Sequence, residues 1–343
     1  VDLAISDEQQ QLVGSFANLL TKASPPEQVR AAEPLGFDET MWHRLQETGA
    51  VVMAVPEARG GWGASVLDLA LVAEQLGRAL APAPVIEAQV AARLLAAAGT
   101  GPAGDRLGAV LDGSELVTLA VRPAQGDLAA LVPAGAVCDR AVVLHRDALR
   151  LVSVADRTRR PVANLAAAPL ADIDIDVEAG PVVVTAAAGA RARYEAALDE
   201  WLVLTAAALV GIAGAALDLG AAYATERHAF GVPIGTFQGV AHPLADDATN
   251  LDGARLLVHK AAWSLDGGSA RGRELAAMAF AFTAGVAEKT TYDALHVHGG
   301  YGFMLESDVQ LHYRRARGWA RVWGDAEAAY RRAAAARYGP EAG

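Results

Sequence analysis

Cysteine is almost absent: Cys138 is the only one among 343 residues. A single thiol closes no intrachain disulfide and builds no thiolate metal site on its own. A reduced, cytoplasmic compartment is expected. Positive charge is also scarce, with 29 Lys and Arg against 40 Asp and Glu and a formal charge of -11. No compact basic patch offsets that balance, so nucleic acid is excluded as a natural partner. The first residues, VDLAISDEQQQLVG, hold no basic stub ahead of an apolar core, and no secretory signal is expected. Long hydrophobic runs are missing too, with one exception. The uncharged stretch from Trp201 to Leu217 stops at Asp218 and is rich in alanine. A membrane span needs about 20 apolar residues, so this stretch is expected to be a buried helix of a soluble protein, with no membrane partner.

What the chain has is apolar residues, 53% of the total, enough for two or three domains with a sizeable core. Residues 1–98 read as a helical domain. Ser6 followed by Asp7, Glu8 and Gln9 is an N-cap with acids in the first turn. Leu12, Phe16, Leu19 and Leu20 then recur at helical spacing. A second helix is expected near Glu39 to Thr48, with Met41, Trp42 and Leu45 on its apolar side. Pro56, Gly60, Gly61 and Gly63 mark a loop between helices. Ser65 caps the next helix, Pro82 and Pro84 stop it, and Ala88 to Ala98 continues as an alanine-rich helix.

The pattern changes over residues 99–187. Short runs with β-branched residues alternate with turn signals: LGAVL, ELVTLAV, DLAALVP, AVVLH, LRLVSV and PVVVTA. They predict a small β-rich domain without a GxGxxG phosphate loop. Residues 188–343 return to the helical period. Long helices are expected from Arg191 through the apolar run, from Gln238 to about Arg255, and from Glu274 to Asp293 or beyond. A helical, basic tail follows from Gln310 to Arg337. Within the apolar run Ala207, Ala208, Gly211, Gly214 and Ala215 permit close helix approach. At its end, Arg227 sets a fixed positive charge beside a Gly231–Pro233 turn, a plausible corner for an anion and a ring.

Two motifs sit in this C-terminal half. One is Arg227-His-Ala-Phe230-Gly231-Val-Pro-Ile234-Gly-Thr-Phe237-Gln238, the other Asp293-Ala-Leu-His296-Val-His298-Gly299-Gly300-Tyr301-Gly302-Phe303. Together with the order helical, β, helical, they resemble the acyl-CoA dehydrogenase family over nearly the whole chain. The resemblance implies an N-terminal helical domain, a middle β-domain and a C-terminal four-helix bundle. It implies FAD at a subunit interface and α,β-desaturation of an acyl-CoA thioester. In that reaction a glutamate takes the α-proton, the β-hydrogen leaves as hydride to the flavin, and electrons pass to an electron-transfer flavoprotein. By position, Arg227 is implied to pair with the FAD pyrophosphate, Phe230 to pack near the adenine, and Gln238 to lie in the same shell. His296 stands where the family usually has glutamine. Gly299 and Gly300 are implied to let the backbone approach the dinucleotide.

The chain departs from the family in two places. The β-rich region, LGAVLDGSELVTLAVRPAQGD, lacks the Thr-Glu-Pro segment and the glycine-serine loop that line the flavin ring and thioester, so this domain is expected to be shortened. At the usual position of the catalytic glutamate stands Trp323, whose indole accepts no proton; Asp325 is two positions away. A minority of the family carries its base early in the first long C-terminal helix, and Glu200 can be laid there, with Trp201 replacing the usual arginine. The expectation is therefore the shortened subunit of an actinobacterial α2β2 acyl-CoA dehydrogenase of steroid catabolism. It would donate the nucleotide-binding part to a homologous full-length partner that supplies the ring pocket and the base. Two alternatives are a self-sufficient homo-oligomer using Glu200 and a structural protein that keeps the fold without flavin.

Overall fold

The computed structural model describes residues 4–176, 182–185 and 187–339. Helix α1 (Asp7–Ala23) starts where the cap signal placed it. Ser6 Oγ accepts from the Gln9 amide at 3.2 Å, and Gln9 Oε1 accepts from the Ser6 amide at 3.0 Å, a reciprocal box that satisfies two otherwise orphan donors. A short helix α2 (Pro26–Ala32) follows; its seven residues are too few to show a period. Helix α3 (Glu39–Glu47) is capped by Asp38 and buries Met41, Trp42 and Leu45, as its spacing predicts. The glycine-rich segment beyond it is a tight loop, in which a Cβ on Gly61 would lie 2.0 Å from the Val55 carbonyl oxygen. Ser65 Oγ accepts from the Asp68 amide and opens α4 (Val66–Arg78), while α5 (Val85–Ala97) begins after the two prolines.

One expectation fails here. LGAVL is not a strand but a helix, α6 (Leu107–Leu111), with Leu107 and Val110 buried three residues apart. A five-residue apolar run carries too little periodicity to separate the two states. The other runs contain strands: β1 (Val117–Leu119), β2 (Leu128–Val132), β3 (Arg140–His145) and β4 (Ala148–Ser153). Two strands went unread, β5 (Arg159–Pro161) and β6 (Ala171–Asp174), because their charged residues outnumber or equal their apolar ones. The last, β7 (Val182–Thr185), falls within PVVVTA, whose first and last residues lie outside the described ones. The strands form two small sheets, ordered β1-β3-β4-β7 and β2-β6-β5, antiparallel except for the β1–β3 pair.

Helix α7 (Ala187–Glu226) contains the apolar run. It is the one described helix long and apolar enough to cross a membrane, and 78% of its most apolar stretch is buried inside the protein. It is a core helix. Helices α8 (Gln238–Asp266) and α9 (Gly272–Val297) match the expected periods. The tail does not form one helix. It breaks into α10 (Val309–Trp319) and α11 (Ala326–Tyr338), because Asp325 accepts from the Ala328 amide at 2.8 Å and starts a new helix.

By packing, the chain divides into two compact units. One comprises Arg30–Leu69 and Pro82–Trp201; the other joins the residues up to Val29 and Ala70–Ala81 to those from Leu202 onward. In the second unit, the end of α11 is tied to the start of α9 by the buried Glu274. Its carboxylate accepts from Arg271 at 2.8 and 2.9 Å and from Arg337 at 3.0 Å. These guanidinium hydrogen bonds, Arg271 first, hold the carboxyl at about 2, below its ordinary 4.5. A depressed folded-state value means the stabilisation is complete above about 4.5 and disappears as pH falls toward 2. Glu274→Ala is expected to cost about 2 kcal/mol at neutral pH, the range of charged hydrogen bonds. Its deficit relative to wild type should shrink between these two values, as read by denaturant melts across acid pH.

Candidate functional site

At the end of α7 the chain reverses through a two-stranded hairpin, β8 (His228–Ala229) and β9 (Val232–Pro233). Its two turn residues, Phe230 and Gly231, have φ of +53° and +85°. Positive φ at both central positions is the type I′ geometry that follows the twist of a tight hairpin. Glycine adopts it freely. A phenylalanine there is strained by about 1–3 kcal/mol, and such strain clusters at functional positions. The strained ring is not covered by protein: Phe230 is 96% exposed, with the ring of Phe237 edge-on at 6.2 Å. Arg227, just before the hairpin, is held by its backbone. Its amide donates to Tyr223 O at 2.9 Å and its carbonyl accepts from Ile234 at 2.8 Å. Its guanidinium is exposed and makes no ion pair or hydrogen bond among the described residues. Gln238, also exposed, is the first residue of α8, whose N-terminus has no side-chain cap and so keeps its positive end open.

The second motif ends α9 and passes into a 3-10 turn, Gly299–Phe303. Gly299 has φ of +60°, which calls for glycine, and a Cβ on Gly299 or Gly300 would meet nothing within 4 Å. These two face open space. Gly302 is different: a Cβ there would sit 2.5 Å from the Leu295 carbonyl oxygen, so it serves packing. His296 is exposed, its ring 6.1 Å from that of Tyr292.

The two motifs are neighbours. Tyr223, one turn before Arg227, stacks on His298 with ring centroids 4.4 Å apart. His298 Nδ1 lies 2.7 Å from Ala294 O and therefore carries the proton it donates. A Cβ on Gly220 would come within 3.2 Å of Ala294, so α7 and α9 are in close contact as they approach this end. The structure thus brings Arg227, Phe230 and Gln238 to the same end of the helices as His296, Gly299 and Gly300. Tyr223 and His298 are the joining pair. His298 stands inside the second motif without a role assigned to it, and Tyr223, one turn before Arg227, lies outside both motifs.

Glu200 belongs to the other unit. Its carboxylate lies 2.9 Å from Arg93 Nε, and Arg93 Nη1 donates to the carbonyls of Ala54 and Ala64 at 3.1 and 3.3 Å. A cavity of about 290 Å³ adjoins this pair, with Arg193 also on its wall. Trp201 is buried and donates from Nε1 to Glu87 at 3.1 Å; burial, more than the opposing hydrogen bonds, pushes the Glu87 carboxyl up. Trp323 sets its ring edge-on to the fully buried Phe280 at 6.2 Å. Asp325 is used as a helix cap. Among the described residues no cluster of three or more His, Cys, Asp or Glu could hold a metal ion.

Comparison with known proteins gives consistent matches along the chain. Residues 189–338 match the family model of the acyl-CoA dehydrogenase C-terminal domain, and residues 6–103 that of the N-terminal domain. A protein named acyl-CoA dehydrogenase IpdE2 from Mycolicibacterium smegmatis is 30% identical over 93% of this chain and 96% of its own. Its namesake from Mycobacterium tuberculosis is 31% identical over 92% and 93%. Among solved structures, a chain of the Tcur3481-Tcur3483 steroid ACAD G363A variant superposes with a TM-score of 0.86 at 25% identity, covering 96% of this chain and 98% of that one.

Proposed function

Because the chain belongs to the acyl-CoA dehydrogenase family, we propose that it is one subunit of a heteromeric, FAD-dependent acyl-CoA dehydrogenase. In this reading it holds the nucleotide end of a flavin whose reactive ring lies in a homologous full-length partner. The observation that carries it is the outward-facing pair at the hairpin: an exposed guanidinium at Arg227, with no ion pair or hydrogen bond among the described residues, beside a strained, 96% exposed Phe230. Residues serving an internal pocket would be covered by their own chain.

The residues present fit the nucleotide part of the cofactor. Arg227 offers a planar fork of donors that suits a diphosphate. Phe230 offers an uncovered ring for the adenine, and Gln238 offers both a donor and an acceptor. His296 adds a polar ring, while Gly299 and Gly300 leave room for close backbone approach. The flavin, when bound, accepts the β-hydrogen of the acyl-CoA as hydride. Proton abstraction at the α-carbon falls to the partner. In this chain Trp323 is packed on Phe280 and Glu200 is engaged with Arg93.

Similarity to IpdE2 supports an acyl-CoA dehydrogenase, and similarity to the Tcur3481-Tcur3483 steroid ACAD supports a heteromer acting on CoA esters of steroid side chains or ring remnants. An electron-transfer flavoprotein is the acceptor in this proposal. Expressed alone, the chain is expected to be colourless. Co-purified with a homologous full-length subunit, it should give a yellow complex with one FAD per pair of unlike chains. Glu200→Gln should leave turnover within about twofold, since the residue touches no reacting atom in this reading. A yellow, active homo-oligomer of this chain, or collapse of turnover in Glu200→Gln, defeats the proposal.

A further inference from the structure

His298 ends α9 with its ring held from three directions. One face stacks on Tyr223, with centroids 4.4 Å apart and planes 26° from parallel. A Cβ on Gly302 would lie 3.1 Å from the His298 Cβ, so the turn that follows packs against the base of the side chain. Nδ1 lies 2.7 Å from Ala294 O. A carbonyl oxygen only accepts, so Nδ1 carries the hydrogen and the neutral ring keeps a lone pair on Nε2. Nε2 sits across the ring and points away from Ala294 O. It makes no hydrogen bond among the described residues. The ring is half-buried, as is Tyr223, and the next residue is Gly299. A fixed acceptor therefore stands at the start of the glycine turn.

Packing leaves that lone pair without a task. The stack on Tyr223 needs only a flat ring, which a phenyl group would supply, and the tie to α9 uses Nδ1 alone. The ligand side supplies one. Arg227 donates only and a diphosphate accepts only, so those two suit each other. The adenosine half of the cofactor is different: its 6-amino group and its two ribose hydroxyls are donors that give up water on binding. A donor left unmet costs about 1–3 kcal/mol. Gln238 and His296 are exposed, so each is free to present a donor or an acceptor. His298 has its role set in advance by the bond to its own helix.

Resting on the flavin reading of this end of the helices, we infer that His298 is a specificity residue for the nucleotide: its Nε2 accepts a hydrogen bond from a donor of the adenosine moiety, the 6-amino group or a ribose hydroxyl. Tyr223 positions that acceptor through the stack. Equilibrium dialysis of the heteromeric complex, stripped of flavin, against FAD and three analogues tests it. One analogue carries purine in place of adenine; the others are 2′-deoxy and 3′-deoxy in the adenosine ribose. In wild type the analogue lacking the recognised donor should bind about tenfold weaker than FAD, a difference of about 1.4 kcal/mol. His298→Phe keeps a ring on Tyr223 and removes the acceptor. It should bind FAD about tenfold weaker and no longer distinguish FAD from that analogue, because both partners of one bond are then gone. Lost discrimination against the purine analogue assigns the amine, and against a deoxy analogue the hydroxyl. A ring that only supports the fold would weaken all four ligands alike and leave every preference intact. Should His298→Phe fail to fold, His298→Asn, whose amide can donate to Ala294 O and places no atom at Nε2, should show the same loss. Equal binding of all four ligands by wild type, a folded His298→Phe with wild-type FAD affinity, or one that keeps every wild-type preference overturns the inference. Arg227→Ala in the same dialysis separates the two levels. Loss of FAD there beside full affinity in His298→Phe removes the role of His298 alone, whereas full affinity in both removes the flavin reading as well.

Discussion

Arg227→Ala is expected to yield a folded complex that loses its flavin. The side chain is exposed and makes no ion pair or hydrogen bond among the described residues, so its removal should change stability by no more than about 0.5 kcal/mol. Affinity is a different matter. A guanidinium on a diphosphate makes charge-assisted hydrogen bonds worth about 1.5–3 kcal/mol, so losing them should weaken FAD about 100-fold. Arg227→Lys keeps the charge but not the planar fork and should fall between, near tenfold. The wild-type affinity should also drop with added salt, because the site is exposed and only partly shielded from screening. Flavin absorbance per protein after gel filtration, followed by equilibrium dialysis, measures all of this. Full flavin retention in Arg227→Ala would remove the basis of the functional proposal; loss of flavin together with unfolding would mean that the residue supports the hairpin instead.

The largest expected effect on stability comes from one added methyl group. A Cβ on Gly211 would lie 1.9 Å from the Glu74 carbonyl oxygen, and a Cβ on Gly77 would lie 1.9 Å from that of Ala208. Helices α4 and α7 therefore meet backbone to backbone, each glycine admitting the other helix. The obstacle in both cases is main chain, which no rotamer change can clear. Gly211→Ala should force the helices apart and cost at least about 3 kcal/mol, the upper part of the overpacking range. For a chain of this size that is roughly 4 °C in Tm. Glu74 also accepts from Arg255 at 3.0 Å, so the shift would disturb that ion pair as well. Gly285→Ala is the matching control: it lies within α9, is exposed, and has nothing within 4 Å of the added carbon. There the helix preference of alanine should raise stability by about 0.5–1 kcal/mol. Equal melting of Gly211→Ala and wild type would show that this contact is looser than its geometry.

Much of this architecture is written locally. The Ser6 box, the caps at Asp38 and Ser65, and the proline stops each depend on residues within four positions of one another, so they can be read without a fold. The length and alanine content of the α7 run set its buried character in the same way. The two motifs around Arg227 and His296 are also contiguous stretches, which is why six candidate site residues could be named from the chain alone.

Other features depend on partners distant in sequence, and only the folded chain decides them. Gly211 was legible as a place of close approach, yet its counterpart Gly77 was not, because a contact made by missing side chains leaves no local pattern. The same contact explains why residues 70–81 belong with the C-terminal helices. LGAVL became a helix and the tail split at Asp325 because burial and capping, rather than composition, select among states that short segments reach at similar energy. Glu200 was legible as a carboxylate ahead of an apolar run, but its partner Arg93, supplied by another helix and 2.9 Å away, was not. Residue type and spacing determined which chemistry the chain carries. Which of those groups remain exposed and unpaired at Arg227 and Phe230, and which are spent on internal partners, was settled by tertiary packing, since pairing and solvent exposure are properties of space rather than of order along the chain.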